Sequence, residues 1–468
     1  MTAEDTPLLS SASVLCLDHD TVYKRFSPAR KTMILVMISC CGILPLFVTG
    51  TFTPSIPKIA KDLNATGAMV NLAVSISAFS GSVGGLIGGS YSTFYGRRPV
   101  YLCSLPILIV GSIGVALAQN IPSLLFWRFL QSVGAAPAMV VGAGVTGDIY
   151  QLEERGRAMG IFFGISLLGP PFSPLIGGTV SYYFSWRFMQ GSIGIVGLIA
   201  FIAMFFFFPE TSQPGARGID KLKAEEGDRY RKRFTFVNPL RPMLLLRSPN
   251  LFLICMATSA SLMAAFAIVV PLPYVIGIRY GVKNEALVGL CFLPGGVGYI
   301  LGAPLVGRIS DRTVVKWRAK RNGVWYPEDR LRAALLPYAI YAPLPLVLFG
   351  LANKYIDGTL GLTVCLFCFF VSSIGVEMAF GPCAAYLVDV LHSRSAESLG
   401  ANNGLRAVLM AIGIATILPM IDTFGIVFTS SAYAVLLWIA AGLIYCIIRY
   451  GEQMRAYHDV GFSNAGNN

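Results

Sequence analysis

The chain has 468 residues, of which 55% are hydrophobic and only 13% charged, with a formal net charge of +12 and a mean hydropathy of +0.65. A soluble domain carries about a quarter charged residues, so this composition excludes an ordinary globular protein and points to an integral membrane protein. The positive excess, which in a soluble chain would suggest nucleic acid, has another source here: basic residues gather in the cytoplasmic loops of membrane proteins.

Residues 1–32 are polar and carry charges of both signs, so no cleavable leader is expected and this stretch reads as a cytoplasmic tail. Apolar runs long enough to cross ~30 Å of hydrocarbon as helices then follow. They lie near 33–55, 68–91, 99–118, 122–147, 158–182, 188–208, 250–276, 286–306, 333–352, 360–388, 399–420 and 425–448, twelve in all. Residues 209–248, with Pro209, Pro214, Gly215 and mixed charges, read as a solvated cytoplasmic linker between two six-span bundles, 33–208 and 249–449. Residues 450–468 form a second cytoplasmic tail. The stretch VKWRAKRNGVWYPEDRLR within 307–332 is compatible with a short surface helix after Pro327.

The basic residues test this layout. Of 36 Lys plus Arg, six fall in the expected outer loops (Lys58, Lys61, Arg187, Arg279, Lys283, Lys354) and two inside spans (Arg128, Arg406). The other 28 lie on the expected inner side, which puts both termini in the cytoplasm. The basic run RYRKR at 229–233 fits a positive-inside loop, with contact to anionic lipid heads as the alternative. A short internal match, GSYSTFYGRR from Gly89 and GRISDR from Gly307, has an offset of 218 residues and carries the start of the first span onto that of the seventh.

Chemistry-bearing residues inside the spans are few, and ionisable groups there usually line a cavity or a coupling path. Arg128, in LLFWRFLQSVGAA at 124–136, shares a helix face with Gln131 and Gly134. It either snorkels with its guanidinium held by carbonyls or faces an aqueous cavity between bundles; the small residues beside it favour the cavity. Glu377 is the only carboxylate in the middle of a span. Burial and a nearby arginine act oppositely on a carboxyl's proton affinity, so a proton switch and a static pair with Arg406 both fit. Arg406 lies beside Asn403 and on the face of Asn402, while Asp148 and Asp389 sit at inner ends and Glu285 and Asp422 at outer ends.

In GISLLGPPFSPLIGG, residues 164–178, four glycines and three prolines bend the fifth span and strip side chains where another helix approaches. GPC at 381–383 and PLP at 271–273 are expected to break the tenth and seventh spans. The ten cysteines are spread through the spans apart from Cys16, and CLFC at 365–368 lies in an apolar helix without a second ligand pair, so neither a disulfide nor a metal site is expected. His19, His392 and His458 fall in tails or a loop with no nucleophile beside them, which disfavours an enzyme. A transport-fold sensor stays open as a minor alternative. Asn64-Ala65-Thr66 is a glycosylation sequon in the first outer loop, and Glu4-Asp5-Thr6-Pro7-Leu8-Leu9 has the pattern of an acidic dileucine sorting signal.

Taken together, GSYSTFYGRRPVYL, LLFWRFLQSVGAA, GDIYQLEERGRAMG, GISLLGPPFSPLIGG, SWRF and PETS make nearly the whole chain resemble a major facilitator superfamily transporter, in particular the fungal twelve-span drug:proton antiporters. The resemblance implies an all-α membrane fold of two pseudo-symmetric six-helix bundles. It implies that Gly89, Gly96, Arg97 and Arg98 form a cytoplasmic latch, that Arg128 and Gln131 serve the cavity and proton coupling, and that Gly164, Gly169, Pro170, Pro174, Gly177 and Gly178 form the antiporter signature. Where the family's loop usually has Asp this chain has Thr93, so Asp148, Glu153 or Glu154 is expected to pair with Arg97 and Arg98; the second-half copy keeps Asp311 and Arg312. The implied activity is proton-coupled export of small amphiphilic molecules such as drugs, polyamines or secondary metabolites, without a cofactor, by a monomer in the plasma membrane. Vacuolar or endosomal placement, and uptake or vacuolar loading of a metabolite, are the alternatives.

Overall fold

A charge-poor segment can cross hydrocarbon with every backbone group paired only as a helix or in a closed barrel. A computed structural model of the chain describes residues 25–457 except 151, 214, 216, 227–234, 283, 325 and 391–394, and among them every regular element is helical. Twelve helices are long and apolar enough to span a membrane: α1 (Pro28–Asp62), α2 (Gly67–Tyr95), α3 (Arg97–Leu117), α4 (Ile121–Ile149), α5 (Arg157–Tyr183), α6 (Trp186–Phe207), α7 (Pro249–Tyr274), α8 (Glu285–Lys320), α9 (Pro327–Tyr355), α10 (Gly358–Leu387), α11 (Gly400–Phe424) and α12 (Ile426–Tyr457). The dileucine pattern, RYRKR, Cys16 and the three histidines lie outside the described residues.

Proline sets where these helices break, because it lacks the N–H donor and crowds the preceding turn. With Pro45, Pro54 and Pro57, α1 runs as three helical pieces (Pro28–Gly42, Leu44–Gly50, Ile56–Asp62) with a 3₁₀ turn at Thr53–Ser55. A helix ends at Ser166 and a new one starts at Gly169, before Pro170 and Pro171, so α5 is broken as its composition predicts. PLP gives a π-turn at Leu272–Ile276 closing α7. GPC does not act as expected: α10 continues unbroken through Pro382. The surface helix expected after Pro327 is also absent. Instead α8 extends to Lys320, the chain turns at Asn322 (φ 55°) and Gly323 (φ 94°), and a 3₁₀ turn at Pro327–Asp329 leads directly into α9.

Helices α1 and α3–α6 share one core, with Ile34, Val48, Leu105, Val141, Phe162 and Ile193 at its centre. A second core fills α7–α12 and reaches Phe52, Ile56, Val70 and Val74 at one end of α1 and α2. Within the first bundle, α3 and α4 approach backbone to backbone: a Cβ at Gly111 would lie 2.6 Å from Gln131 Cα, and one at Gly134 2.8 Å from Leu108 Cα. Helices α2 and α8 begin 218 residues apart, at Gly67 and Glu285, the same offset as the internal match. We call the end carrying Arg97, Arg98, Arg312 and Arg330 the basic end and the opposite one the far end.

The stretch read as a solvated linker is partly packed. Thr211 and Leu245 are 0% and 3% exposed, the 3₁₀ segment Arg241–Arg247 lies on α7 and α11, and the Tyr95 hydroxyl exchanges hydrogen bonds with Thr235 N (2.7 Å) and O (3.0 Å). Its apolar residues, Leu245 and Leu246 among them, find helix surfaces to cover.

Candidate functional site

The two bundles meet at the far end, and missing Cβ atoms let them. Gly177 lies against the Thr51 backbone of α1, while the next residue, Gly178, faces the Glu285 carbonyl of α8 in the other bundle. A Cβ at Gly289 of α8 would fall 2.5 Å from Pro174 O of α5, and one at Gly296 2.5 Å from Pro171 N. Asn71 Nδ2 of α2 donates to Ile414 O of α11 (2.7 Å), and Ser75 Oγ donates to Ala411 O. Lys58 Nζ donates to Ser181 O (2.6 Å) and lies 3.9 Å from Glu285 Oε1 across the seam. The Tyr274 ring rests on Gly67.

Toward the basic end this closure is lost. The helix Leu152–Ser166 at that end of α5 packs on α1 and α4 of its own bundle, and nothing lies within 4 Å of where a Cβ on Gly164 would be. Contact between bundles persists there along α2 and α11, where Leu86 meets Gly404. The molecule is thus closed at the far end and parted at the basic end. Of the signature residues, Gly178 and Pro174 sit in the far seal, Gly177 packs on Thr51 and Gly169 on Leu46 of α1, Pro170 opens the second helix of α5, and Gly164 faces open space.

Arg128 does not face that space. It is 0% exposed inside the first bundle, its Nη1 donating to Val48 O (3.0 Å) and to Gln131 Oε1 (2.8 Å), with its guanidinium carbon 4.3 Å from the Phe52 ring centre. Val48 is in the last turn of Leu44–Gly50, so the arginine takes a carbonyl beside the break in α1. Gln131 Nε2 donates to Ser112 Oγ of α3 (3.0 Å) and Gln190 Oε1 of α6 (3.2 Å), so one buried polar network ties α1, α3, α4 and α6. Arg128 Nε and Nη2 find no partner among the described residues. The cavity-facing expectation gives way to a charge held at a helix break.

Glu377 and Arg406 do not form the ion pair weighed from sequence. Glu377 is half-buried at the seam of α8 and α10, its Cβ 2.9 Å from where a Cβ on Gly302 would be. Tyr299 lies beside it. Arg406 is half-buried with its guanidinium 5.1 Å from the Phe380 ring centre of α10, and its Nη1 has no partner among the described residues. Asn402 turns away into the second bundle, 2% exposed, where Thr258 Oγ1 donates to its Oδ1 (3.0 Å) and the Cys255 thiol reaches its carbonyl (3.5 Å). Its neighbour Asn403 is half-exposed.

At the basic end the missing loop carboxylate is replaced by Asp148: its Oδ2 lies 2.8 Å from Arg97 Nε, and Arg97 Nη1 also donates to Ser92 Oγ (2.9 Å). Arg98 instead donates to Phe205 O (2.7 Å). Glu154 is exposed, and the Glu153 side chain lies outside the described residues. Glu210, from PETS, accepts from Arg97 N (2.9 Å) and Arg98 N (3.2 Å), capping α3, where Gly96 enters at φ 111° with no room for a Cβ beside that carboxylate. Arg25 donates to Thr211 O (2.7 Å) and Ser212 O (3.1 Å); burial lowers its pKa against the opposing pull of Asp148 and Glu210. Gly89 lies against Val140 of α4.

The second bundle repeats the theme with a displaced arginine. Arg330 Nε is 2.8 Å from Asp389 Oδ2 and its Nη1 3.2 Å from Asp311 Oδ1, while Arg312 is exposed. Asp329, 1% exposed, binds Arg321 (2.6 Å) and Arg332 (3.2 Å), and Glu328 pairs with Arg455. Sequence reading missed Glu210, Arg330 and Glu328; the quoted PETS was the only signal for the first. The nine described cysteines are all free, and no cluster able to hold a metal occurs among the described residues.

The model of the Major Facilitator Superfamily matches residues 38–415, most of the chain. The chain belongs to this superfamily. It is therefore a multi-pass membrane transporter, of a family whose members are not enzymes. MFS-type transporter clz19 of Cochliobolus lunatus is 28% identical over 473 residues, covering 94% of this chain and 88% of its own length. MFS antiporter QDR3 of Candida albicans is 23% identical, with 92% and 79% covered. Citrate exporter 1 of Aspergillus niger is 24% identical, with 92% and 88% covered. Among solved structures, a bacterial homologue of the human lysosomal transporter Spinster, inward-facing and unoccupied, superposes with a TM-score of 0.68 at 13% identity, covering 92% of this chain and 99% of that one, which shows the shared fold.

Proposed function

We propose that this transporter exports small amphiphilic organic molecules in exchange for protons, by alternating access of a chamber between its bundles. The observation that carries the reading is the asymmetry of the interface: glycine-mediated backbone contact between α5 and α8 seals the far end, while at the basic end the helix Leu152–Ser166 of α5 packs on α1 and α4 of its own bundle and Gly164 faces open space. The positive-inside bias makes the basic end cytoplasmic, with both termini there, so the arrangement corresponds to an inward-open state. The chain acts as a monomer, most naturally in the plasma membrane.

In this reading Glu377 carries the proton. It is the one carboxylate in the middle of a span and lacks a basic partner among the described residues, so binding of a proton and of a cationic or polar cargo at that wall compete. Arg128 does not touch cargo; it holds the break in α1 against α4, so that movement of α1 is felt by the polar network behind it. A second reading, proton-coupled movement of a metabolite acid, draws on Arg406, whose guanidinium lacks a carboxylate partner among the described residues.

The test is pH-gradient-driven flux in sealed proteoliposomes with a panel of lipophilic cations, polyamines and organic acids. Export of cations or polyamines against an inward proton gradient supports the first reading, and selective movement of acids the second. A panel that the gradient moves no faster than empty vesicles do would refute both.

A further inference from the structure

At the far end of the second bundle, the turn after α7, the end of α9 and the α11–α12 hairpin enclose a cleft of about 460 Å³. Its polar wall is cationic. Lys354 has no carboxylate partner among the described residues, and Arg279 donates to Lys354 O (2.9 Å) and to Asp357 (2.7 Å), itself 87% exposed. Asn353, also in the wall, is 1% exposed with a side-chain nitrogen that has no partner among the described residues, a buried donor that costs stability unless a ligand or water satisfies it. The opposite wall is apolar, with Ile421, Ile426, Val427 and a 63% exposed Phe424. Cations and an amide donor on one side and hydrocarbon on the other, where α9 and α11 end and α12 begins, match an anionic lipid better than a free anion.

Tyr274 joins this cleft to the gate, because it lines the cleft and its ring rests on Gly67 of α2 across the bundle interface. It lies in the π-turn that PLP imposes, where the helical hydrogen bonds are re-spaced. We propose that the cleft binds the phosphate of an anionic lipid from the far leaflet, through Lys354, Arg279 and Asn353, and that the bound lipid holds Tyr274 against Gly67 and the far end closed. The site is separate from the cargo chamber, so it stands whether or not the exchanged ion is a proton.

Full-length protein is placed in nanodiscs of phosphatidylcholine alone or with phosphatidylglycerol. Hydrogen–deuterium exchange is followed over residues 272–286 and lipid retention by native mass spectrometry. Phosphatidylglycerol is expected to slow exchange there several-fold and to be retained by the native chain. Lys354→Gln and Asn353→Asp lose both effects, and Lys354→Arg keeps them. Equal exchange in the two lipid mixtures would overturn the proposal, as would full lipid protection in Lys354→Gln, or protection by millimolar inorganic phosphate in phosphatidylcholine alone.

Discussion

Two glycines of near-identical surroundings separate packing from gating. A Cβ at Gly289 would lie 2.5 Å from Pro174 O in the other bundle, and one at Gly84 2.5 Å from Val133 O within the first bundle. A carbon and a carbonyl oxygen normally stand about 3.3–3.6 Å apart, so alanine at either site forces its neighbours back by roughly 1 Å. Such overpacking costs about 1–3 kcal/mol. For Gly84→Ala the cost falls on both conformations alike and appears as lower thermal stability. For Gly289→Ala it falls only on the far-closed form, and the same energy becomes a shift of about 5–150-fold toward the far-open form. Spin labels at the exposed Asp62 and Asp357, one on each bundle, report the far-end distance by double electron–electron resonance. Gly289→Ala is expected to gain a longer-distance population that Gly84→Ala lacks. Equal distributions in the two variants would refute the claim that the α5–α8 contact is a state-dependent seal.

Other outcomes follow from the charged residues. Glu377→Gln is expected to abolish pH-driven accumulation while leaving substrate counterflow; undiminished proton-driven transport would remove Glu377 from coupling. Arg128→Met removes a buried charge whose Nε and Nη2 have no partner among the described residues, so thermal stability should hold or rise while flux drops about 5–150-fold, the range of a coupling between sites; full flux would leave Arg128 a purely structural residue. Asp148→Asn breaks the bond to Arg97 and should slow transport at unchanged expression, and normal rates would exclude it from the latch. Glu210→Ala uncaps α3 and should cost about 0.5–2 kcal/mol, read as a lower melting temperature.

The spans were legible in the sequence because hydrocarbon demands long uncharged helices, and the close approach of α5 to α1 at Gly177 and to α8 at Gly178 was visible as a loss of side chains. Their ends were less so: α8 runs on to Lys320 through polar residues that hydropathy assigns to a loop. The partner of Arg128 is a backbone carbonyl freed by a helix break, and such groups leave no trace in a side-chain pattern. Asp148 could be named because the loop lacked its acid. Arg330 could not, since the longer loop after α8 moves it out of register with Arg97 although it meets Asp389 as Arg97 meets Asp148.

The most direct test of exchange loads sealed proteoliposomes with a transported member of the panel and a pH-sensitive dye, then follows cargo and protons together. Cargo leaving down its gradient should draw protons inward and acidify the lumen, with the proton movement lost in Glu377→Gln. Cargo that leaves with no proton movement, or with protons travelling in the same direction, would contradict the account.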